Sequence, residues 1–211
     1  MKGKKMARHC VKTEVLRRFA KIPTFFEPTT PEDIKKEISV IRLEIKDGKQ
    51  FVVATNQQIA AVEFVGVTDS PDDVCYLKLS DSLKNYLAEQ KDGDFIVDTI
   101  PELAMATVSA DGYEDYEPCV WFDENIMDSW RSWFGKPIIK HSNDPMVWDL
   151  YHVETLFEAS PSGSIVFPAF IDPHKPMVLR DHDKDNWCGV FIPDDKHYQN
   201  VEPAELPEWM K

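Results

Sequence analysis

An α+β fold, assembled from repeated units of one helix followed by antiparallel strands, is what this 211-residue sequence predicts. Three observations lead there. Stretches with apolar residues three and four apart alternate along the chain with short stretches of period two, the two signatures of helix and strand. The pattern of one helix then several strands recurs, which marks a repeat. Composition, at 43% hydrophobic and 29% charged, is that of a globular chain, and no apolar run nears the length of a membrane helix.

Residues 1–8 are expected to be a flexible basic arm. Val11, Val15, Phe19 and Ile22 fall at steps of four, four and three, one face of a helix from Lys12 to Ile22 that Pro23 and Pro28 end. Ser39 to Lys46 sets Ile41, Leu43 and Ile45 against Val40, Arg42 and Glu44, a half-buried strand, and Asp47-Gly48 is a turn. FVVATNQQIAAVEFVG, residues 51–66, supplies two strands around a polar tip, Thr55 to Gln58. That tip lacks the Asn-Gly or Asp-Gly of a two-residue hairpin, so it reads either as an ordinary loop or as part of a binding surface.

The pattern then repeats. Val74 to Leu79 is a strand, Ser80 caps a helix carrying Leu83 and Leu87, and Phe95–Thr99 and Met105–Ser109 are strands. DGYEDYEP, residues 111–118, reads as loop. Ile126 to Phe134 suits a helix stopped by Gly135 and Pro137. Leu150, Val153 and Phe157 mark another helix, and Ser164–Ile171, Met177–Asp181 and Trp187–Ile192 are strand candidates. The expected organisation is an arm at 1–8, a domain at 9–118, a second, shortened domain at 119–193, and an acidic tail at 194–211.

Charge is uneven. The net charge is −13, yet residues 1–50 hold thirteen Lys and Arg against seven Asp and Glu, a local +6 that leaves −19 elsewhere. Such asymmetry fits a surface facing a polyanion, and equally a solvated helix face beside a basic tip. The basic start has no apolar segment behind it, which argues for a cytoplasmic protein rather than a secreted one. Cys10, Cys75, Cys119 and Cys188 show no paired spacing, as in a reducing compartment.

Catalytic chemistry finds little footing. The six histidines show no zinc spacing, and the sequence contains no phosphate-cradling Gly loop and no nucleophile elbow. In RDHDKDNW, residues 180–187, Asp181, Asp183 and Asp185 match the start of a calcium loop, but Asn186 stands where Gly is needed and Ile192 where the bidentate Glu is needed. The cluster reads as a hairpin tip. A small metal-dependent hydrolase built on it is the least favoured reading. No cofactor is expected.

Particular segments resemble the bacterial DNA sliding clamps. LEIKDGKQFVVATNQQIAAV, residues 43–62, is similar to the family segment ending in a V-A-T-D-G-H-R-L-A-V-type run, and VCYLKLSDSLKNYL, 74–87, to the strand and helix after it. SADGYEDYEP, 109–118, resembles the D-G-x-[FY]-P-D-Y turn. DLYHVETLFEA, SIVFPAFID and NWCGVFIP resemble the last half-domain. About 150 residues are covered.

The resemblance implies a DNA-clamp-like fold of two domains, the second reduced because 119–147 is too short for a whole half. It implies a non-catalytic processivity factor that encircles double-stranded DNA and tethers a DNA polymerase or another replication or repair client. Two domains per chain imply a homotrimeric ring. Lys12, Arg17, Arg18 and Lys21 would face DNA, positioning without reading sequence. Thr55, Ala60, Val190, Phe191, Ile192 and Pro193 would border a client-peptide groove, although Val190 to Pro193 also reads as a terminal core strand. The family's D-G-H-R-L is Asn56-Gln57-Gln58-Ile59-Ala60 here, which makes that groove shallower. The alternative is a clamp-fold protein-binding module that forms no ring.

Overall fold

The computed structural model describes residues 6–22, 40–56, 59–89, 92–100, 105–118, 150–167 and 177–191. In chain order these form β1 (Arg8–Lys12), α1 (Thr13–Phe19), β2 (Val40–Lys46), β3 (Lys49–Thr55) and β4 (Ile59–Val67). A second run of the same order follows, with β5 (Asp73–Lys78), α2 (Asp81–Glu89), β6 (Asp94–Ile100), β7 (Met105–Ala110) and β8 (Tyr113–Pro118). Then come α3 (Leu150–Ala159), β9 (Ile165–Val166), β10 (Met177–Asp181) and β11 (Trp187–Phe191). The α+β character and the repeated helix-plus-strands unit are as the sequence predicts.

The two complete repeats exchange their first strands. β1 pairs antiparallel with β6 of the second repeat, from Arg8↔Asp98 to Lys12↔Asp94. In return β5 pairs with β2 of the first repeat, from Val40↔Lys78 to Ile45↔Asp73. The result is one sheet ordered β1-β6-β7-β8 and another that begins β5-β2-β3-β4. The third group of elements extends the second sheet. β11 pairs with β4 from Trp187↔Glu63 to Phe191↔Ile59, giving seven strands in the order β5-β2-β3-β4-β11-β10-β9.

Alternation along the strands explains the core. On β2, Ile41 and Leu43 enter the main apolar cluster with Val52, Ala61, Phe95, Val97 and Trp187. α1 adds Val15, Leu16 and Phe19, α2 adds Leu83 and Leu87, and α3 adds Leu156 and Ala159. The helical stripe Val11, Val15, Phe19, Ile22 is buried throughout, as the spacing requires, but Val11 belongs to β1. The helix is shorter than the predicted Lys12–Ile22. At Thr13 the strand stops and Thr13 N donates to Gly93 O (3.0 Å), so the first orphan amide of α1 is satisfied by the facing turn.

Three further local readings differ from expectation. β1 starts at Arg8 and Ala7 is buried, so the end of the expected arm is a paired strand: Thr99 N donates to Ala7 O at 3.0 Å. Only Asp111-Gly112 of DGYEDYEP is a turn, with Gly112 at φ 74, and Tyr113 onward is β8. β2 is buried on both faces, because Arg42 and Glu44 satisfy one another there: Arg42 Nε donates to Glu44 Oε2 at 2.9 Å. The predicted Asp47-Gly48 turn has φ 51 and 70, the doubly positive geometry that matches hairpin twist. Ser80 caps α2 as expected, accepting from Leu83 N at 3.1 Å. The helix expected at Ile126–Phe134, the whole segment 119–149 and the tail 194–211 lie outside the described residues.

Candidate nucleic-acid and client interface

The expected DNA-facing residues sit on or beside α1, but they do different things. Arg18 turns inward and is buried. Its Nη2 donates to Glu63 Oε2 (2.9 Å) on β4, and its Nη1 to the Ala159 carbonyl (2.6 Å) at the end of α3. Asn186 Nδ2 reaches Glu63 Oε1 at 3.4 Å from the start of β11. Burial pushes the Glu63 carboxyl above its ordinary value, and Arg18 and Asn186 oppose that rise. Arg18 thus ties the third group of elements to the first repeat.

Lys12 and Lys21 stand at the two ends of α1, and both are exposed. Lys12 Nζ lies 2.6 Å from Asp94 Oδ1 on β6, a hydrogen bond that raises the ammonium above its ordinary value. Lys21 Nζ lies 3.2 Å from Glu158 Oε2 on α3. Arg17 is half-buried. The other helices add Asp81, Lys84 and Glu89 on α2 and Glu154 and Glu158 on α3. The described helices therefore carry more acid than base once Arg18 is spent on Glu63.

Thr55, Ala60 and Val190 come together, one from each of three adjacent strands. Thr55 pairs with Ala60 and Ala60 with Val190, a single row across β3, β4 and β11. All three are buried, as is Phe191, which points to the opposite face and joins the main core. Ile192 and Pro193 lie outside the described residues. The tip beside this row closes without glycine. Thr55 Oγ1 donates to Ile59 O (2.7 Å), and Ile59 N donates to Asn56 Oδ1 (2.9 Å). The Asn56 side chain thus adds to the main-chain bond from Asn56 N to Ile59 O (3.1 Å), closing the tip without Asn-Gly. Gln57 and Gln58 lie outside the described residues.

The aspartate cluster is a structural staple. Asp181 Oδ1 accepts from the amides of Asp183 and Lys184 (both 2.9 Å). Its Oδ2 accepts from Ser162 N (2.8 Å) and from Ser160 Oγ. Burial works against ionisation, but the donors from Ser160, Ser162 and Asp183 outweigh it and hold the carboxyl at about 2. Its acceptor positions are filled by protein donors. Among the described residues no group of three or more His, Cys, Asp or Glu is arranged to hold a metal ion.

Sequence reasoning missed the acidic partners, Glu63, Asp94 and Glu158. The signal for Glu63 was present: alternation in AAVEF sets it on the core side with Ala61, where an acid needs a cation.

Solved proteins share this architecture. A DNA polymerase sliding clamp from Pseudomonas aeruginosa superposes with TM-score 0.58 at 11% identity, over 89% of this chain and 66% of that one. A sliding clamp, DNA polymerase III subunit beta, from Bartonella birtlesii also gives 0.58, at 12% identity, over 92% of this chain and 68% of that one.

This chain has the sliding-clamp fold.

The clamp likeness is one of architecture, since identity is so low. It extends over only part of the known clamps: the chain spans 33% of a Helicobacter pylori beta clamp and about two thirds of the two above. No protein-family model matches it, and no curated protein does. Among the described residues, no helix is long and apolar enough to cross a membrane.

Proposed function

We propose that the chain is a clamp-like DNA replication accessory factor. It would be non-catalytic, encircle double-stranded DNA as a homo-oligomer, and tether a polymerase or another client to it. The observation that carries this reading is the edge-to-edge pairing of β4 with β11. It joins the third group of elements to the first repeat in one continuous sheet, with α1 and α3 packed on it, an arrangement by which such units can curve into a ring. Lys12, Arg17 and Lys21 would contact phosphate, while Arg18 serves the interior. The row Thr55, Ala60 and Val190, with Phe191, Ile192 and Pro193, would border the client groove, and a peptide would have to open that buried row to bind. A cytoplasmic location follows from this role.

The pairing of Lys12 with Asp94 and Lys21 with Glu158 favours a second reading, a clamp-fold protein-binding module that forms no ring. Absolute mass by light scattering over a range of concentrations separates the two. A mass of about three chains supports a closed ring of two-domain chains, and loading onto circular DNA is then the next measurement. A monomer at every concentration removes encirclement and leaves the binding module.

A further inference from the structure

We propose that two acidic side chains, Asp94 and Glu158, hold the outward cations at the ends of α1 in ion pairs, and so set how strongly this surface engages duplex phosphate. This rests on the DNA-facing reading above.

The geometry is specific. Lys12 Nζ is 2.6 Å from Asp94 Oδ1, and Lys21 Nζ is 3.2 Å from Glu158 Oε2. Neither acid belongs to α1. Asp94 opens β6, the strand that receives β1 in the exchange, and Glu158 lies in the last turn of α3, which packs beside α1. The fold itself therefore delivers a carboxylate to each end of the helix. Arg18, which could have supplied a third charge, is committed to Glu63.

A lysine already paired with a carboxylate presents almost no net charge beyond the pair itself. It recruits a phosphate only by exchanging one anion for another, so it displaces few counterions from DNA. Exposed pairs of this kind contribute little to stability, so a phosphate can compete for them at close range. The surface then holds DNA loosely, with a shallow dependence on salt. Removing the two carboxylates should free two cations.

The test uses the full chain and nicked circular duplex DNA across a salt series. The double variant Asp94→Asn/Glu158→Gln is compared with the wild type and with Asp81→Asn/Glu154→Gln, which removes the same formal charge from other exposed positions of α2 and α3. Two freed cations should steepen the salt dependence enough that the ratio of variant to wild-type affinity changes roughly tenfold between about 50 and about 200 mM salt. The comparison variant should change that ratio much less. Equal changes in both variants would reduce the effect to net charge and overturn the proposal. If the wild type is retained on DNA and the Asp94/Glu158 variant behaves identically, this inference fails and the DNA-facing reading stands. If no version binds DNA at any salt, both fail together.

Discussion

Arg18 and Glu63, 45 residues apart, meet at 2.9 Å beneath α1, and the same guanidinium holds the last carbonyl of α3. One side chain thus spans three elements that come from two different repeats. Breaking one partner of a buried pair leaves the other charge uncompensated. We expect Arg18→Ala to lower unfolding free energy by about 3 kcal/mol in urea denaturation. Arg18→Met with Glu63→Leu should cost clearly less than Arg18→Ala, since no charge is then stranded. Equal losses would mean that the carbonyl contact, not the ion pair, is what matters.

Asp181 predicts an acid limb of stability. Its folded-state value, about 2, lies below the ordinary 3.8. A depressed acid stabilises the fold above the ordinary value, and that stabilisation is lost as pH falls from 3.8 towards 2. The difference corresponds to about 2 kcal/mol at neutral pH. Asp181→Asn should therefore be less stable than wild type at pH 7 by about that amount, with the gap closing below pH 4. A gap that persists unchanged at pH 2 would assign the effect to lost geometry instead. Glu63, whose carboxyl is raised, contributes with the opposite sign: its share is present at low pH and lost as pH rises through its shifted value.

Gly189 is fixed by its neighbours. A Cβ there would sit 2.7 Å from Trp187 Cη2 and 3.3 Å from Leu156 Cδ2. Trp187 is buried and has little room to yield. Gly189→Ala should cost about 1–3 kcal/mol through overpacking. In a Trp187→Phe background the same substitution should cost less, because the clashing ring edge is gone. Thermal melts of the four proteins provide the comparison.

His9, Asp73 and Thr99 link the two sheets. His9 Nε2 is 3.2 Å from Asp73 Oδ2, and Thr99 Oγ1 donates to that same oxygen at 3.1 Å. Asp73→Leu strips both contacts inside a closed site and should destabilise by about 1–3 kcal/mol. Thr99→Val removes a hydroxyl that donates to Asp73 and accepts from Ala7 N at 3.4 Å, and should cost about 1 kcal/mol, read from the denaturation midpoint. A Thr99→Val loss larger than that of Asp73→Leu would assign the effect to the Ala7 contact rather than to Asp73.

Much of this arrangement was legible in the residues, and the gaps have physical causes. The stripe Val15–Phe19 and the pair Leu83–Leu87 marked their helices because burial imposes a spacing. Alternation in Val40–Lys46 marked β2, and its Arg42 and Glu44 looked solvent-facing only because the facing Tyr76 comes from β5. The residues do not mark β1, because Arg8–Lys12 carries just two buried apolar or aromatic positions, His9 and Val11. Their partner strand is β6, far along the chain, and local pattern holds no trace of it. Arg18 illustrates the same limit at the site. Helical spacing placed it off the apolar stripe, and only the approach of β4 and α3 turns it inward.

The strand exchange also governs how the chain can be made. Arg8 meets Asp98 across 90 residues of sequence. When synthesis has reached the loop before Asp73, β2 still lacks β5 along one side and β1 has no strand to join. Neither repeat can finish first: β1 stays unpaired on the ribosome until β6 emerges, and the free edge of β4 until β11 does. Distant pairings of this kind fold slowly and leave edges exposed to aggregation. A nascent chain stalled in the 70s should be markedly more prone to self-association than one stalled past Ile100.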